Sequence, residues 1–537
     1  MRICKVHWSL WMLLVLVYLV AFFMPLMEND SAQFAVMAMQ MAQDNDYLHL
    51  YKNGLDYLDK PHMHYWLAAF SFELFGVSAW AYRLPAMLSL VLAAYAMFRL
   101  GTLLRDSDFG RVVAFVFLST QTMLLAAFDL RTDTLLVSFV TLSLWKLIAY
   151  VKSERLIDLI LATMGAAVAF STKGMLALVV IAISFLSYLY LHRAWKVLWS
   201  YHLPVAIFIF FISIAPVLYA YYVQFDLHPE KVIRGVSERS GVRFILWDQS
   251  FERLSGTGHG KNSNGFFFFF HTLLWIVLPY TFYFLSQSFR FSFNAVSFRR
   301  KPAGFAFFAL FFLLLLMSFS QFKLPHYLNV LMPLIALIIA QGLFEGMTHK
   351  TRRWMRFSNG LLLALYGVVT LALFLVFSPD FWPLLIVGIS WTLTVYLYMR
   401  RTFNQLALVI AVSFTFNLLS LIHFYPQLLQ FQSGTQLYKH IPASGVVYNY
   451  SDDYTWVLDF KRKKLTIPLK EDALKRLPKG SFVYVDQKHL PSFKHYFPEA
   501  IEYASSAHFR VTRLNLNFLN PATRADELQV KRIMYLP

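Results

Sequence analysis

The sequence contains little cysteine and little charge. Its one cysteine, Cys4, excludes a disulfide bond within the chain. Charged residues make up 15% of the 537 residues, whereas a soluble protein has roughly 25%. Hydrophobic residues make up 58%, and the mean hydropathy is +0.51. This composition argues against a soluble enzyme and indicates a chain that lies mostly in lipid.

The sequence also lacks any nucleic-acid-binding motif, although its net charge is +18. Much of the positive charge lies in short loops between apolar runs, which is the pattern that sets the orientation of membrane proteins. We therefore predict that membrane lipid, and not nucleic acid, surrounds or binds the chain.

Apolar runs near 20 residues recur before residue 426, and each is long enough to cross a hydrocarbon core of about 30 Å as a helix. Backbone groups in lipid must be paired within their own segment, so helices are expected. We predict an all-α polytopic membrane domain of about 13 transmembrane helices. The predicted spans are 9–27, 82–104, 110–128, 133–151, 156–171, 174–192, 202–224, 265–287, 303–319, 326–346, 358–378, 381–399 and 405–425.

The basic residues predict an orientation. If the N-terminus is cytoplasmic, the cytoplasmic loops carry most of the lysines and arginines, such as the basic run at 299–301. The short loops on the opposite side carry only Arg131, Lys173 and Lys323. This bias predicts a multi-pass protein of the bacterial inner membrane whose C-terminus is periplasmic.

The chain divides into two predicted domains. Residues 1–425 form the membrane domain, with longer outer loops at 28–81 and 225–264. The apolar pattern at 31–43 predicts a helix lying in the membrane interface. Residues 426–537 carry more charge and predict a small soluble periplasmic α/β domain. Its predicted strands are Gly445–Tyr450, Lys464–Pro468, Ser481–Asp486 and His508–Leu516.

Ionisable residues gather on the outer side of this topology. Taken singly, Asp30 and Asp133 could be helix caps, and the lysines could reach lipid phosphates. Together they are harder to explain structurally, because ionisable groups near membrane depth are costly unless they pair or act in function. The set comprises Asp30, Asp59, Lys60, Asp129, Asp133, Lys173, His259 and Lys323.

Lysines facing carboxylates suit an anionic substrate beside an acid or a base. A lysine binds phosphate as a compact point charge, and a nearby carboxylate can deprotonate a hydroxyl group. Asp59 and His259 are residue types that bind a divalent metal, zinc or another, so they form a predicted metal pair.

Several short motifs of this set resemble the GT-C fold membrane glycosyltransferases, and in particular the lipid A-modifying aminoarabinose transferases, which share their architecture with protein mannosyltransferases. The similarity covers roughly residues 10–345. The motifs are Glu28-Asn29-Asp30, Leu58-Asp59-Lys60-Pro61, Arg83-Leu84-Pro85, Phe128-Asp129 to Asp133-Thr134, Ser171-Thr172-Lys173-Gly174 and Lys323-Leu324-Pro325-His326-Tyr327.

The resemblance implies an inverting transfer of a sugar from a polyprenyl-phosphate donor to a lipid or glycan acceptor at the periplasmic face. The sugar would be 4-amino-4-deoxy-L-arabinose or a related pentose or hexose, and the acceptor lipid A-like or another envelope component. Asp30 would be the main catalytic carboxylate, and either Asp133 or Asp129 the second one.

The remaining roles also follow from the resemblance. Lys60 would contact the donor phosphate, and Lys173, Lys323 and Tyr327 would line the phosphate side. Asp59, where the family usually has glutamate, would hold the metal together with His259.

A lipid or polysaccharide transporter, or flippase, is the main alternative. It would carry polar residues near the bilayer midplane on broken helices, often with an inverted repeat. The chain shows no such repeat, and its polar residues are predicted at one face.

Overall fold

The computed structural model describes residues 8–257, 264–293, 301–344, 349–400 and 405–537. These parts are mainly helical. The α-helices are α1 Trp8–Phe23, α2 Asp30–Asp44, α3 Met63–Phe75, α4 Ala79–Leu104, α5 Ser107–Ser119, α6 Gln121–Phe128, α7 Asp133–Ser153, α8 Leu156–Lys173, α9 Met175–His192, α10 Leu203–Tyr221, α11 Gly241–Arg243, α12 Gln249–Ser255, α13 Phe268–Ile276, α14 Thr281–Phe293, α15 Gly304–Ser318, α16 Met332–Phe344, α17 His349–Val376, α18 Phe381–Met399, α19 Gln405–Leu419, α20 Tyr425–Leu428, α21 Ser433–Leu437, α22 Trp456–Arg462, α23 Leu490–Tyr496 and α24 Leu516–Leu519.

Within the described ranges, nine helices are long and apolar enough to cross a membrane, and the bent pair α5–α6 makes a tenth. Two shorter apolar helices, α1 and α15, lie at two further predicted spans. At the remaining one, 265–287, the chain forms α13 and α14. A helix or a pair of helices therefore lies at every predicted span, and the all-α membrane fold is confirmed.

The break between α5 and α6 bends the chain by 54°. Thr120 is extended there, with φ −70° and ψ 143°, and the Gln121 N–H donates to the Leu278 carbonyl oxygen at 2.8 Å. A neighbouring segment therefore satisfies a backbone group that the bend frees, as a membrane interior requires.

Helices α4 and α5 approach closely at two glycines. A Cβ atom on Gly101 would lie 2.7 Å from the Gly110 Cα, so no larger residue fits without a shift of the backbone. Small residues at helix crossings allow this contact in membrane bundles, where dispersion contacts drive association. The continuous helical stretch Pro325–Phe344, which ends in α16, lies deep in the bundle, because 83% of the residues in its most apolar 18-residue part are buried.

The predicted helix at 31–43 is confirmed as α2, but its apolar residues pack against protein and do not face lipid. Residues 31–39 of α2 are all buried, and Phe34 packs edge-on against Tyr65 of α3 at 5.5 Å between ring centroids. Helix α22, about 420 residues further along the chain, covers another side of α2. Protein side chains therefore bury the apolar residues that the sequence pattern assigned to lipid.

The C-terminal part contains a five-stranded mixed sheet with strand order β4-β3-β5-β7-β6. Strand β3 pairs in parallel with β4 and β5, and β7 pairs antiparallel with β5 and β6. The prediction of a strand at 508–516 is wrong, because the strand ends at His508, and the last strand was missed. The strands are β3 Val447–Tyr450, β4 Ile467–Pro468, β5 Phe482–Asp486, β6 Ile501–His508 and β7 Gln529–Tyr535; a separate small hairpin joins β1 Tyr51–Lys52 and β2 Leu55–Asp56.

The sheet region is fastened to the segment that leads into α2. The Val457 N–H donates to Glu28 Oε2 at 3.0 Å, and Gln432 Nε2 donates to the Leu26 carbonyl oxygen at 3.1 Å. The Glu28 N–H donates to Gln432 Oε1 at 2.5 Å. The C-terminal region therefore fixes the backbone immediately before Asp30.

Candidate active site

Asp30 is the first residue of α2. Asn29 caps this helix by accepting the Ser31 N–H at 2.7 Å, and its amide donates to Asp129 Oδ1 at 3.0 Å. The Asp30 side chain is 50% exposed. A carboxylate at a helix N-terminus is stabilised by the helix dipole. Asp30 is therefore an accessible carboxyl group whose position is set by the helix cap.

Arg131 joins Asp30 to Asp129. Its guanidinium lies 3.4 Å from Asp30 Oδ2 and 2.9 Å from Asp129 Oδ2. Burial lowers the pKa of Arg131, but Asp129 and Asp30 outweigh that effect and raise it above its usual value. The structure thus brings two of the predicted carboxylates together around one permanent cation, which the sequence did not indicate as part of the site.

Arg83 holds the two chain segments that carry these carboxylates. It is 1% exposed, and its guanidinium donates to the carbonyl oxygens of Phe22 in the last turn of α1, of Met24 and Pro25 just after that helix, and of Phe128 at the end of α6. The buried Arg83 guanidinium therefore acts as a clamp that holds together the two chain segments that precede Asp30 and Asp129.

Asp59 and Lys60 lie in a second, mainly cationic group. Lys60 Nζ is 3.0 Å from Asp59 Oδ2, and Arg253 donates to Asp59 Oδ1 at 2.8 Å. Burial and the neighbouring Arg253 lower the pKa of Lys60 to about 8, although Asp59 opposes this shift. Two cations share one carboxylate here, so the group carries a net positive charge that can attract an anion.

Lys173 and Tyr327 continue this group towards Asp133. Lys173 forms an ion pair with Asp133, and both side chains are buried. The Lys173 ammonium lies 5.0 Å from the centroid of the Tyr327 ring, and the Arg253 guanidinium lies 6.0 Å from the same centroid. Tyr327 therefore lies between the cations from α8 and α12.

Lys323 and His259 are the two remaining predicted residues. Lys323 is buried, and its ammonium group donates to the Asn264 carbonyl oxygen at 3.2 Å. His259 lies outside the described residues.

A cavity of about 460 Å³ opens beside the carboxylates. Its polar lining includes Asn29, Asp129, Arg131, Asp133 and His326, and most of the remaining lining is apolar. A chamber with several charged residues among mostly apolar walls suits an amphipathic ligand with a charged head.

The surroundings of Asp59 do not fit a divalent cation. Its carboxylate oxygens are engaged by Lys60 and Arg253, and these two positive charges would repel a metal. The zinc or other divalent metal at Asp59 and His259 stays a prediction, and the reaction proposed below does not use it.

Sequence reasoning missed Arg131 and Arg253 as site residues. Arg131 lies between two aspartates on the side that has few cations, which was an available signal. Arg253 lies in the outer loop at 225–264, which carries several arginines, and nothing local distinguishes it.

Comparisons with known proteins place this geometry in context. Residues 59–220 match the family of dolichyl-phosphate-mannose-protein mannosyltransferases. The undecaprenyl phosphate-alpha-4-amino-4-deoxy-L-arabinose arabinosyl transferase 2 of Pseudomonas fluorescens is 26% identical over 378 residues, which are 68% of this chain. The corresponding transferase of Pseudomonas aeruginosa is 25% identical over 379 residues, 67% of this chain. The chain spans 65% of the length of each of these relatives.

The crystal structure of ArnT from Cupriavidus metallidurans bound to undecaprenyl phosphate superposes with a TM-score of 0.74 and 16% identity, over 98% of both chains. Its apo state gives a TM-score of 0.71 at the same identity and coverage. Identity this low establishes the fold alone. These findings confirm that the chain has the GT-C fold of ArnT and resembles the aminoarabinose transferases and the mannosyltransferase-like proteins.

Proposed function

We propose that the protein is an integral membrane glycosyltransferase that moves a sugar from a polyprenyl-phosphate donor to an envelope acceptor. The fold and the relatives support this proposal. The observation that carries it is the placement of the Asp30–Arg131–Asp129 cluster beside a cavity whose wall also holds Asp133, the ion-pair partner of Lys173.

In the proposed reaction, Asp30 accepts the proton of an acceptor hydroxyl group. The acceptor oxygen attacks the anomeric carbon of the donor sugar, and the bond from that carbon to the phosphate oxygen breaks. The lipid phosphate leaves with the bonding electrons, and direct displacement inverts the anomeric carbon. Proton transfer to a positioned carboxylate contributes typically 10²- to 10⁴-fold to such a step.

Exposure and pairing favour Asp30 as the base. Its side chain is 50% exposed, whereas that of Asp133 is 5% exposed and paired with Lys173. Asp129 is 22% exposed, and its oxygens accept from Asn29 and Arg131. We assign Asp129 to positioning Arg131 and Asn29 near Asp30, and Asp133 to holding Lys173.

We assign the donor phosphate to the cationic group. Lys60 and Arg253 would contact its oxygens and stabilise the charge that develops as the phosphate leaves. Lys173 and Tyr327 would complete the wall of this site, and we retain Lys323 as a further donor-side residue.

The location and the substrates belong to the same proposal. The basic loops support a multi-pass protein of the bacterial inner membrane with a cytoplasmic N-terminus and a periplasmic site and C-terminal domain. The names of the relatives support undecaprenyl phosphate as the lipid carrier and 4-amino-4-deoxy-L-arabinose, or a related sugar, as the transferred group. A lipid A-like molecule or another envelope glycolipid or glycan would be the acceptor.

Mass spectrometry of envelope lipids and glycans, from cells with and without the gene, tests this proposal. We expect one sugar to be missing from one envelope component without the gene, and to return with the wild-type chain but not with Asp30→Asn. Unchanged glycoforms combined with a lipid-linked sugar retained on the cytoplasmic face would instead indicate a flippase.

A further inference from the structure

A second cavity, of about 250 Å³, lies between α2 and the C-terminal domain. Asp30 lines this cavity and is absent from the lining of the larger one, while Asn29 and Thr512 line both. The two cavities therefore meet at the helix cap, and the proposed base faces the second one. This arrangement separates the larger cavity from a smaller one on the other side of Asn29.

The C-terminal domain contributes an aromatic surface to the second cavity. The rings of Tyr454 and Trp456 stack with centroids 5.2 Å apart, and the Tyr454 side chain is half exposed. Flat aromatic rings beside polar groups bind ligands that have both an apolar face and hydroxyl groups. A sugar ring has this combination, and the cavity volume suits one ring.

Some charged residues that line the second cavity have an ion-pair partner and others do not. Asp452 pairs with Lys488 at 2.6 Å, and Asp453 pairs with Lys531. Lys52, by contrast, lies 5.0 Å from the Tyr454 ring centroid, and neither it nor Arg510 forms an ion pair with any residue in the described ranges. Asp30 also lines the cavity and pairs with Arg131, so the lining charges without an ion-pair partner among the described residues, Lys52 and Arg510, are positive.

Glu28 supplies a further polar group. Its Oε2 atom accepts from the Val457 N–H, whereas its Oε1 atom is buried and has no hydrogen-bond partner among the described residues. Burial raises the pKa of this carboxyl to about 8, so it is mostly protonated at neutral pH. A buried oxygen of this kind can bind a ligand hydroxyl group, since leaving it unsatisfied is costly.

We propose that this second cavity is the acceptor pocket and that it takes a single sugar ring bearing an anionic group, a phosphate or a carboxylate. Tyr454 packs against the ring, Lys52 and Arg510 bind the anionic group, and an acceptor hydroxyl faces Asp30. The C-terminal domain thus selects the acceptor. This inference rests on the proposed function, because it takes Asp30 to be the base.

Binding of glucose 1-phosphate to the full-length protein in lipid nanodiscs tests the inference. Saturation-transfer NMR should show transfer to its ring protons, weaker binding of glucose, and weaker binding of inorganic phosphate. Tyr454→Ala and Arg510→Gln should each weaken glucose 1-phosphate binding about tenfold, the loss of one contact of moderate strength. Tyr454→Phe keeps the ring and should recover the binding that Tyr454→Ala loses. Arg513→Gln removes an exposed arginine of the Arg510 loop outside the pocket and is the control that should bind normally.

Undecaprenyl phosphate binding separates the two possible failures. If the wild-type protein binds undecaprenyl phosphate, and both pocket variants bind it equally well, the donor side is intact. Absent glucose 1-phosphate binding, binding unaffected by both variants, or equal binding of glucose or inorganic phosphate would then overturn the acceptor pocket alone. Failure of the wild-type protein to bind undecaprenyl phosphate would count against the proposed function itself.

Discussion

Replacing Lys60 by methionine isolates the proposed donor-phosphate contact. Lys60 is 14% exposed, and its carboxylate partner Asp59 keeps a second cation, Arg253 at 2.8 Å, after the change. The variant therefore leaves no unpaired buried charge and should fold normally. A hydrogen bond to a charged group contributes about 2 kcal/mol, so the KM for the lipid-linked donor should rise about thirtyfold with little change in acceptor KM.

The pH dependence of donor use provides an independent check. Because the pKa of Lys60 lies near 8, its ammonium group is charged below that pH and loses its proton above it. The donor kcat/KM of the wild-type protein should therefore fall between pH 7 and 9. At saturating donor the fall should be smaller, because a bound phosphate favours the charged lysine. Lys60→Arg stays charged and should remove this step.

Steady-state transfer by purified protein, with the donor concentration varied, measures both effects. Lys231→Met is the matched control, since Lys231 is an outer-loop lysine that pairs with Asp56 at 3.2 Å and lies outside the proposed donor contacts. A folded Lys60→Met variant with wild-type donor KM would refute the phosphate role. A donor kcat/KM that is level from pH 7 to 9 would refute the titration of Lys60.

Three further predictions concern stability and orientation. Arg83→Met should lower the free energy of unfolding by about 3 kcal/mol, because it leaves several buried carbonyl oxygens unpaired; a thermal midpoint equal to that of wild type in detergent would contradict the clamp. Lys173→Met should cost about 3–5 kcal/mol by leaving Asp133 buried and unpaired, and adding Asp133→Asn should restore much of the loss in the same thermal assay. Alkaline phosphatase fused after Pro537 should be active and fused after Lys196 inactive; the reverse pattern would invert the proposed orientation.

Local sequence patterns were sufficient to predict the membrane helices, but they were not sufficient to predict what α2 packs against. A run of about 20 apolar residues carries its own evidence of a span, because the bilayer sets that length. The apolar residues of α2 indicated a helix correctly, yet its covering partner α22 begins at Trp456. A partner more than 400 residues away leaves no trace in the local pattern, so the pattern assigned the apolar residues of α2 to lipid and not to a protein partner.

The candidate site was predictable to a similar extent. Aspartates and lysines stood out because ionisable residues are rare in an apolar chain. Arg131 and Arg253 did not, since their importance depends on contacts with Asp30, 101 residues away, and Asp59, 194 residues away. The strand at 529–535 was missed for a related reason. Its alternation of polar and apolar residues is short, and the strand is recognised only by its pairing with β5 and β6.

The rate of sugar transfer by Asp30→Asn tests the central claim most directly. The control is Asp44→Asn, which removes an exposed carboxylate at the other end of the same helix. With purified protein and lipid-linked donor, we expect Asp30→Asn to lose about 10²- to 10⁴-fold in rate while undecaprenyl phosphate binding and the thermal midpoint stay unchanged, and Asp44→Asn to retain wild-type activity. A folded Asp30→Asn protein that transfers sugar at the wild-type rate would contradict the account.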